Sequence, residues 1–207
     1  MKRGLFITFE GMDGTGKSTQ INLLKDRLAG EGHDVVLLRE PGGTSISEKI
    51  REIILDNNNS EMCSTAEMML YAAARAQLVE EVIKPALNSN KIVICDRFLD
   101  SSIAYQAFGR KLGDAVEVVN RFAINGTMPD LTIFLRAGVS LGAGRIKNRE
   151  KDRIEMAPSD FHRRVYEGYA FLEREYPERI VGIDAEDSIE NISKKIWDAV
   201  AGHREKL

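Results

Sequence analysis

The chain has 207 residues, the size of one compact domain with room for a large core. Its 43% apolar and 29% charged residues exclude intrinsic disorder and collagen-like repeats. With 29 Lys plus Arg against 32 Asp plus Glu, the net charge is -3, so no global positive field draws it to nucleic acid or anionic membrane, and any phosphate recognition must be local. Cys63 and Cys95 are too few for a disulfide framework and fit a reducing, cytoplasmic setting.

Met1-Lys2-Arg3 followed by an apolar run resembles the start of a secretory signal, but the run is short and Glu10 and Asp13 follow it. Leu5–Phe9 therefore reads as the first strand. Helix Lys17–Ala29, strand Val35–Leu38 and helix Ser45–Leu55 come next. Ser64 and Glu67 form a capping box that starts a long helix over Thr65–Leu87, which Pro85 is expected to end or kink. Strand Ile92–Cys95 leads to helices Asp100–Phe108 and Asp114–Asn125, then strand Leu131–Leu135 and helix Val139–Asn148. Lys147–Pro158 is charged and poor in apolar residues, the pattern of an exposed, mobile flap. Helix Asp160–Glu175, strand Ile180–Ile183 and helix Ile189–Val200 close the chain, with Trp197 packing among Ile189, Ile192, Ile196 and Val200. No apolar run reaches the roughly 18 residues that span a bilayer. Short β-branched runs alternating with helices predict an α/β fold: five parallel strands joined by crossover helices in three layers.

The strongest local signal is Gly11-Met12-Asp13-Gly14-Thr15-Gly16-Lys17-Ser18-Thr19, a G-x-x-x-x-G-K-[ST] string between a strand and a helix. Here backbone N–H groups and the helix dipole cradle the phosphates of ATP, Lys17 reaches the transferring phosphate, and the Ser18 hydroxyl is offered to Mg²⁺. This is the P-loop NTPase architecture. Switches, motors and kinases share that loop, so the rest of the site must decide between them. The nearest string to the N-K-x-D base reader of GTPases, Asn90-Lys91-Ile92-Val93, lacks the Asp.

In open parallel sheets the carboxyl ends of the strands open onto the ligand, which puts Asp96 and Arg97 beside the loop. Asp96 then holds Mg²⁺ through water, and Arg97 offers a planar fork to a second phosphate. Ser101 with Tyr105, and Ser102 with Gln106, stand four apart and make a polar helical face. Tyr71 and Arg75, also four apart among alanines, suit a flat base stacked on a ring with its edge at a guanidinium.

Gly11–Thr19, Arg39-Glu40-Pro41-Gly42-Gly43-Thr44, Tyr71 with Arg75, and Asp96-Arg97-Phe98 through Ser101, Ala104-Tyr105-Gln106 together resemble the bacterial thymidylate kinases, in order and over nearly the whole chain. The resemblance implies transfer of the γ-phosphoryl group of ATP to dTMP, with Mg²⁺, in a homodimer. It implies that Tyr71 stacks on thymine, that Arg75 and Gln106 meet its polar edge, and that Pro41 lines the base pocket. Arg97 would clamp the acceptor phosphate, Ser101 and Ser102 would complete the polar face, and Tyr105 would stand where a ribose 2′-hydroxyl would clash. Asp13 and Tyr169 match positions near the acceptor sugar. Some members carry an Arg in the phosphate loop; this chain has Gly14 there, which leaves the third cation to the flap. Arg145, Arg149 and Arg153 recur every four residues into it, with Arg153, in Asp152-Arg153-Ile154-Glu155, matching the lid motif and Arg149 expected near ATP. Arg136 stands where the family usually has an Asp, and Gly142 and Gly144 are expected to loosen the helix leading into the lid. His33, His162 and His203 have no metal-ligand spacing. Met68 and Met69 fit either core or a dimer seam. Two rival readings are a different nucleoside or nucleoside monophosphate kinase and a switch that binds ATP without transferring its phosphate.

Overall fold

The apolar runs pair into one sheet in the computed structural model, which describes residues 3–138 and 151–204. The strands are β1 (Phe6–Glu10), β2 (Val35–Arg39), β3 (Ile92–Asp96), β4 (Leu131–Arg136) and β5 (Ile180–Asp184). They lie in the order β2-β3-β1-β4-β5, and every pair is parallel. β1 is thus central, with β3 and β4 on either side. All five strands lie where the apolar runs place them, but each runs one residue further, to Glu10, Arg39, Asp96, Arg136 and Asp184. The apolar signal stops where side chains leave the core, whereas backbone pairing continues, as in the registers of Arg39 with Asp96 and Arg136 with Asp184.

The helices are α1 (Lys17–Gly30), α2 (Ser45–Leu55), α3 (Ser64–Leu78), α4 (Lys84–Asn88), α5 (Leu99–Ser102), α6 (Ala115–Ile124), α7 (Ser159–Glu175) and α8 (Ile189–Arg204). Alternate residues of β1 feed opposite faces of the sheet. Ile7 and Phe9 pack with Ile94, Ile133 and the apolar sides of α1 and α8, where Trp197 adds its ring under the Arg27 guanidinium, 3.6 Å from its centroid. Phe6 packs with Val93, Cys95, Phe98 and residues of α3, α4 and α6. Burial on both sides explains why the runs of the central strands β1, β3 and β4 are continuous rather than alternating. A third cluster joins Tyr105, Phe134, Phe161, Val165 and Tyr169, between α7 and the segment after α5.

Three expectations about helices need correction. The helical path continues through Pro85: Val79–Ile83 is a π-helical stretch and Pro85 stands in the first turn of α4. The widened turn accommodates a residue that has no N–H to donate. Leu99–Ser102 likewise passes into a π-helical stretch over Ile103–Gly109 rather than a regular helix. Finally, α3 begins at Ser64 with Cys63 as its cap residue and no side-chain cap. Glu67 turns instead into the protein interior.

The helix expected over Val139–Asn148, with Gly142, Gly144 and Arg145, lies outside the described residues, as does Arg149 of the expected flap. Of the expected flap, the part from 151 onward is a loop of turns exposed at Lys151, Met156 and Pro158 but anchored between them. Ile154 is buried in the third cluster, and the N–H of Ile154 and Glu155 both donate to Asp152 Oδ1 at 2.9 Å.

Candidate active site

The loop after β1 is shaped by glycine. Gly11 has φ +137, and a Cβ there would lie 2.6 Å from the Leu135 carbonyl oxygen; Gly16, with φ +92, turns the chain into α1. The Thr15 hydroxyl donates to Met12 O at 3.0 Å, and Lys17 Nζ donates to Gly11 O and Met12 O at 3.1 and 3.0 Å. Burial, then the nearby Arg97 charge, push the Lys17 ammonium down to about 8, against the pull of Asp96, Asp13 and Glu10. An ammonium destabilised this way gains from an arriving phosphate.

A cavity of about 910 Å³ starts at this loop, where Asp13, Gly14, Gly16, Lys17, Ser18 and Thr19 line it. It passes Asp96 and Arg97 and ends among Pro41, Tyr71, Arg75, Ser102, Tyr105 and Gln106. Most residues singled out in the sequence therefore meet around one space. Gly11, Met12, Thr15, Tyr169 and Arg153 do not line it. Tyr169 sits beneath, stacked on Phe134 with ring centroids 5.1 Å apart, and touches the site through its hydroxyl. Arg136 faces away, donating to Gly182 O at 3.0 Å with Glu173 Oε1 at 3.6 Å.

Arg97 adopts φ +70, rare for a residue with a side chain. Its guanidinium donates to Asp13 Oδ1 at 2.8 Å and to the hydroxyls of Tyr169 and Ser101 at 3.0 and 3.2 Å, and lies 5.1 Å over the Tyr105 ring. Beneath it Glu10, fully buried, accepts from Ser101 Oγ, Tyr169 OH and Phe98 N–H at 2.5, 3.0 and 2.8 Å. Burial, reinforced by Asp100, pushes the Glu10 carboxyl up to about 7.

Arg75 is 1% exposed, and its five N–H donors meet protein acceptors: Glu40 Oε2 at 2.8 and 2.5 Å, Ser102 Oγ at 2.8 Å, Phe98 O at 3.0 Å, and Asn120 Oδ1. Glu67 is a second hub. It accepts from Gln106 Nε2 and Arg110 Nε at 3.0 Å, from Arg110 NH2 at 2.9 Å and from Arg153 NH2 at 2.7 Å. A carboxylate only accepts, so the Gln106 amide must turn its NH₂ toward Glu67. Arg153, expected over ATP, is held here by Glu67 and by the Ile54 carbonyl at 2.8 Å.

Sequence reasoning missed Glu10, Glu67 and Arg51 as site residues, and placed Arg39 at the acceptor site only as part of the Arg39–Thr44 string, with no role of its own. Arg39 and Arg51 both line the cavity, and each donates to the Pro41 carbonyl at 2.8 Å, just after the cis Glu40–Pro41 peptide. The available signal for Glu10 was a charge closing a central strand, which demands buried partners.

Fold and site define a P-loop phosphotransferase, with an anion cradle at one end of a cavity and a ring-and-amide slot at the other. Residues 9–196 match the sequence model of the thymidylate kinase family. The chain is 50% identical over 197 residues to the thymidylate kinase of Exiguobacterium sp., spanning 94% of this chain and 93% of that one. It is 47% identical to that of Thermoanaerobacter sp. strain X514, spanning 96% and 98%. The crystal structure of thymidylate kinase from Ehrlichia chaffeensis superposes with a TM-score of 0.78 at 31% identity, covering 96% of this chain and 99% of that chain. The chain belongs to the thymidylate kinase family.

Proposed function

We propose that the cavity aligns ATP and dTMP end to end and transfers the γ-phosphoryl group to give dTDP and ADP. The observation that carries this reading is the continuity of one space from Lys17 and Ser18, past Arg97, to Tyr71 and Gln106. The phosphate loop holds the triphosphate and Lys17 follows the moving group. Arg97, between the two ends, grips the acceptor phosphate, with Asp13 and Tyr169 supporting it. Tyr71 stacks on thymine over Pro41, and Tyr105 fills the space a 2′-hydroxyl would need. With its NH₂ committed to Glu67, Gln106 presents a carbonyl oxygen that matches the N–H of thymine. Arg75 meets the base only by exchanging one of its protein acceptors, so its first role is to hold Glu40 and Ser102. Arg149 and Arg153 supply positive charge from the lid, and Arg153 does so by leaving Glu67.

Mg²⁺ fits the same space. Asp96 Oδ1 is buried with no hydrogen-bond partner among the described residues, and the exposed Ser18 hydroxyl lines the cavity with it. The bound ion neutralises charge on the triphosphate. We also read the enzyme as a cytoplasmic homodimer. Both cysteines are free thiols. Ile46 and Ile53 of α2, Met69 of α3, and Val118 and Phe122 of α6 are exposed, on helices where α2 packs on α3 and α3 on α6, a surface suited to self-association.

ADP release measured with dTMP, dUMP, AMP, GMP and thymidine tests the reading. The highest kcat/KM is expected with dTMP. Preference for AMP or thymidine, or ATP binding without acceptor-dependent turnover, would overturn it.

A further inference from the structure

Three oxygens under the acceptor end of the cavity lie within 3.0 Å of one another: Glu10 Oε2, Ser101 Oγ and Tyr169 OH, with Ser101 and Tyr169 2.8 Å apart. Arg97 NH1 reaches the two hydroxyls from above, and Glu10 Oε1 accepts from the N–H of Phe98, the residue after Arg97. We propose that Glu10 is a positioning residue for the acceptor-phosphate clamp, fixing the Ser101 and Tyr169 hydroxyls so that both turn lone pairs, not protons, to the Arg97 guanidinium. The proposal rests on the reading of Arg97 as that clamp.

An ionised Glu10 brings no proton, so Ser101 donates to it and Tyr169 donates either to it or to Ser101; both hydroxyl protons are used inside the triangle. A protonated Glu10 adds a third proton, enough to close a ring of three hydrogen bonds. In either state both oxygens are left as acceptors toward Arg97, as a cationic donor requires. The arrangement therefore tolerates titration of Glu10, whose carboxyl burial and Asp100 push up to about 7. The charged groups that act on it are Arg97, Asp100, Lys17 and Arg179, the last holding Asp100 at 2.6 and 2.8 Å. Arg97 needs such support because its backbone, at φ +70, stands outside both strand and helix. Glu10 steadies it twice, through the Phe98 N–H behind and through the hydroxyls below. It is also the residue immediately before Gly11, so a single strand end supports both nucleotide sites.

A buried carboxylate that only holds the fold would affect both nucleotides or neither. Glu10→Gln separates the cases. If the amide NH₂ faces the hydroxyls, two protons join a triangle that already holds two, and at least one hydroxyl proton is turned toward Arg97. If it faces Phe98, donor meets donor.

The full-length variant is expected to raise KM for dTMP by on the order of tenfold, with KM for ATP within about twofold and a wild-type circular dichroism spectrum. Equal changes in both KM values, or none, would overturn the proposal. Adding Ser101→Ala to Glu10→Gln should cost little beyond either change alone, because both act through one network; full additivity would overturn it. Should Glu10→Gln not fold, Ser101→Ala with Tyr169→Phe strips the hydroxyls and leaves the carboxylate. An unchanged KM for dTMP in that double variant would also overturn the proposal. Arg97→Lys tests the foundation separately. If it leaves KM for dTMP unchanged, the reading of Arg97 fails; if it raises KM while Glu10→Gln does not, only the role of Glu10 fails.

Discussion

Glu67→Gln probes how the site is braced. The side chain keeps its volume but loses the charge that two arginines share, and its new NH₂ group faces donors. The Glu67 side chain is 1% exposed, Arg153 8% and Arg110 20%, so the orphaned cations cannot recover their hydration without moving. Removing one partner of a buried pair costs about 3–5 kcal/mol, and the partial exposure of Arg110 favours the lower end. For a chain of this size about 3 kcal/mol corresponds to a fall in Tm of roughly 6–12 °C. Thermal unfolding followed by circular dichroism at pH 7.5 measures it. The pH dependence supplies a second check. Burial alone would raise the Glu67 pKa, but hydrogen bonds and charge from Arg110, with Gln106 and Arg153, hold it below the usual carboxylate value. A depressed carboxyl stabilises the fold above its unfolded pKa, and that stability is lost as pH falls through the folded value. The gap between wild type and variant is therefore full above about pH 5 and closes in acid. A Tm loss under about 2 °C at pH 7.5 would refute the reasoning, since it would mean that Glu67 is not holding the two arginines.

Gly11→Ala places a Cβ against the Leu135 carbonyl at φ +137, and is expected to lower Tm by several degrees and abolish ATP binding in calorimetry; near-native affinity would count against the loop geometry described. Asp96→Asn is expected to raise the Mg²⁺ concentration for half-maximal activity at least tenfold, read from a Mg²⁺ titration at saturating nucleotides, and an unchanged midpoint would remove Asp96 from the ion. Arg153→Ala is expected to lower kcat by about 10³ with KM for ATP little changed, in steady-state assays below the variant's melting range, whereas a loss under tenfold would leave Arg153 as an anchor only. Phe122→Glu, at a side chain 79% exposed, is expected to shift the protein from dimer to monomer in light scattering; an unchanged mass would move the interface elsewhere.

What the sequence shows and what it hides divide by range. The phosphate loop is local, a backbone shape that glycine spacing dictates, so its position was readable to the residue. The polar face from Ser101 to Gln106 was readable too, since a four-residue repeat projects side chains the same way whether the turn is α or slightly wider. Glu67 misled because an acid three residues after a serine is the local signature of a helix cap, while its actual partners, Gln106, Arg110 and Arg153, come from 39 to 86 residues away. Nothing in a linear pattern ranks a distant pair of arginines against the nearest N–H. The flap misled for a similar reason: Asp152-Arg153-Ile154-Glu155 is charged enough to read as solvated, yet Ile154 lies in a core cluster and Arg153 against Glu67.

Three arginines that line the cavity, Arg97, Arg39 and Arg75, and Arg153 beside it illustrate how a site for two polyanions can be assembled before either arrives. Guanidinium groups near one another repel, and these four are each paired with an acid: Arg97 with Asp13, Arg39 with Glu48, Arg75 with Glu40 and, outside the cavity lining, Arg153 with Glu67. The acids differ in burial. Asp13 and Glu48 are each 41% exposed, whereas Glu40 is 4% and Glu67 1% exposed. A solvated acid relinquishes its partner at small cost, because water takes over its hydration. A buried one does not. Arg97 and Arg39 are therefore the more easily redirected, while Arg75 stays with Glu40. Arg153 belongs with the buried pairs, so bringing it onto any ligand means separating it from Glu67, at the cost of leaving a buried charge.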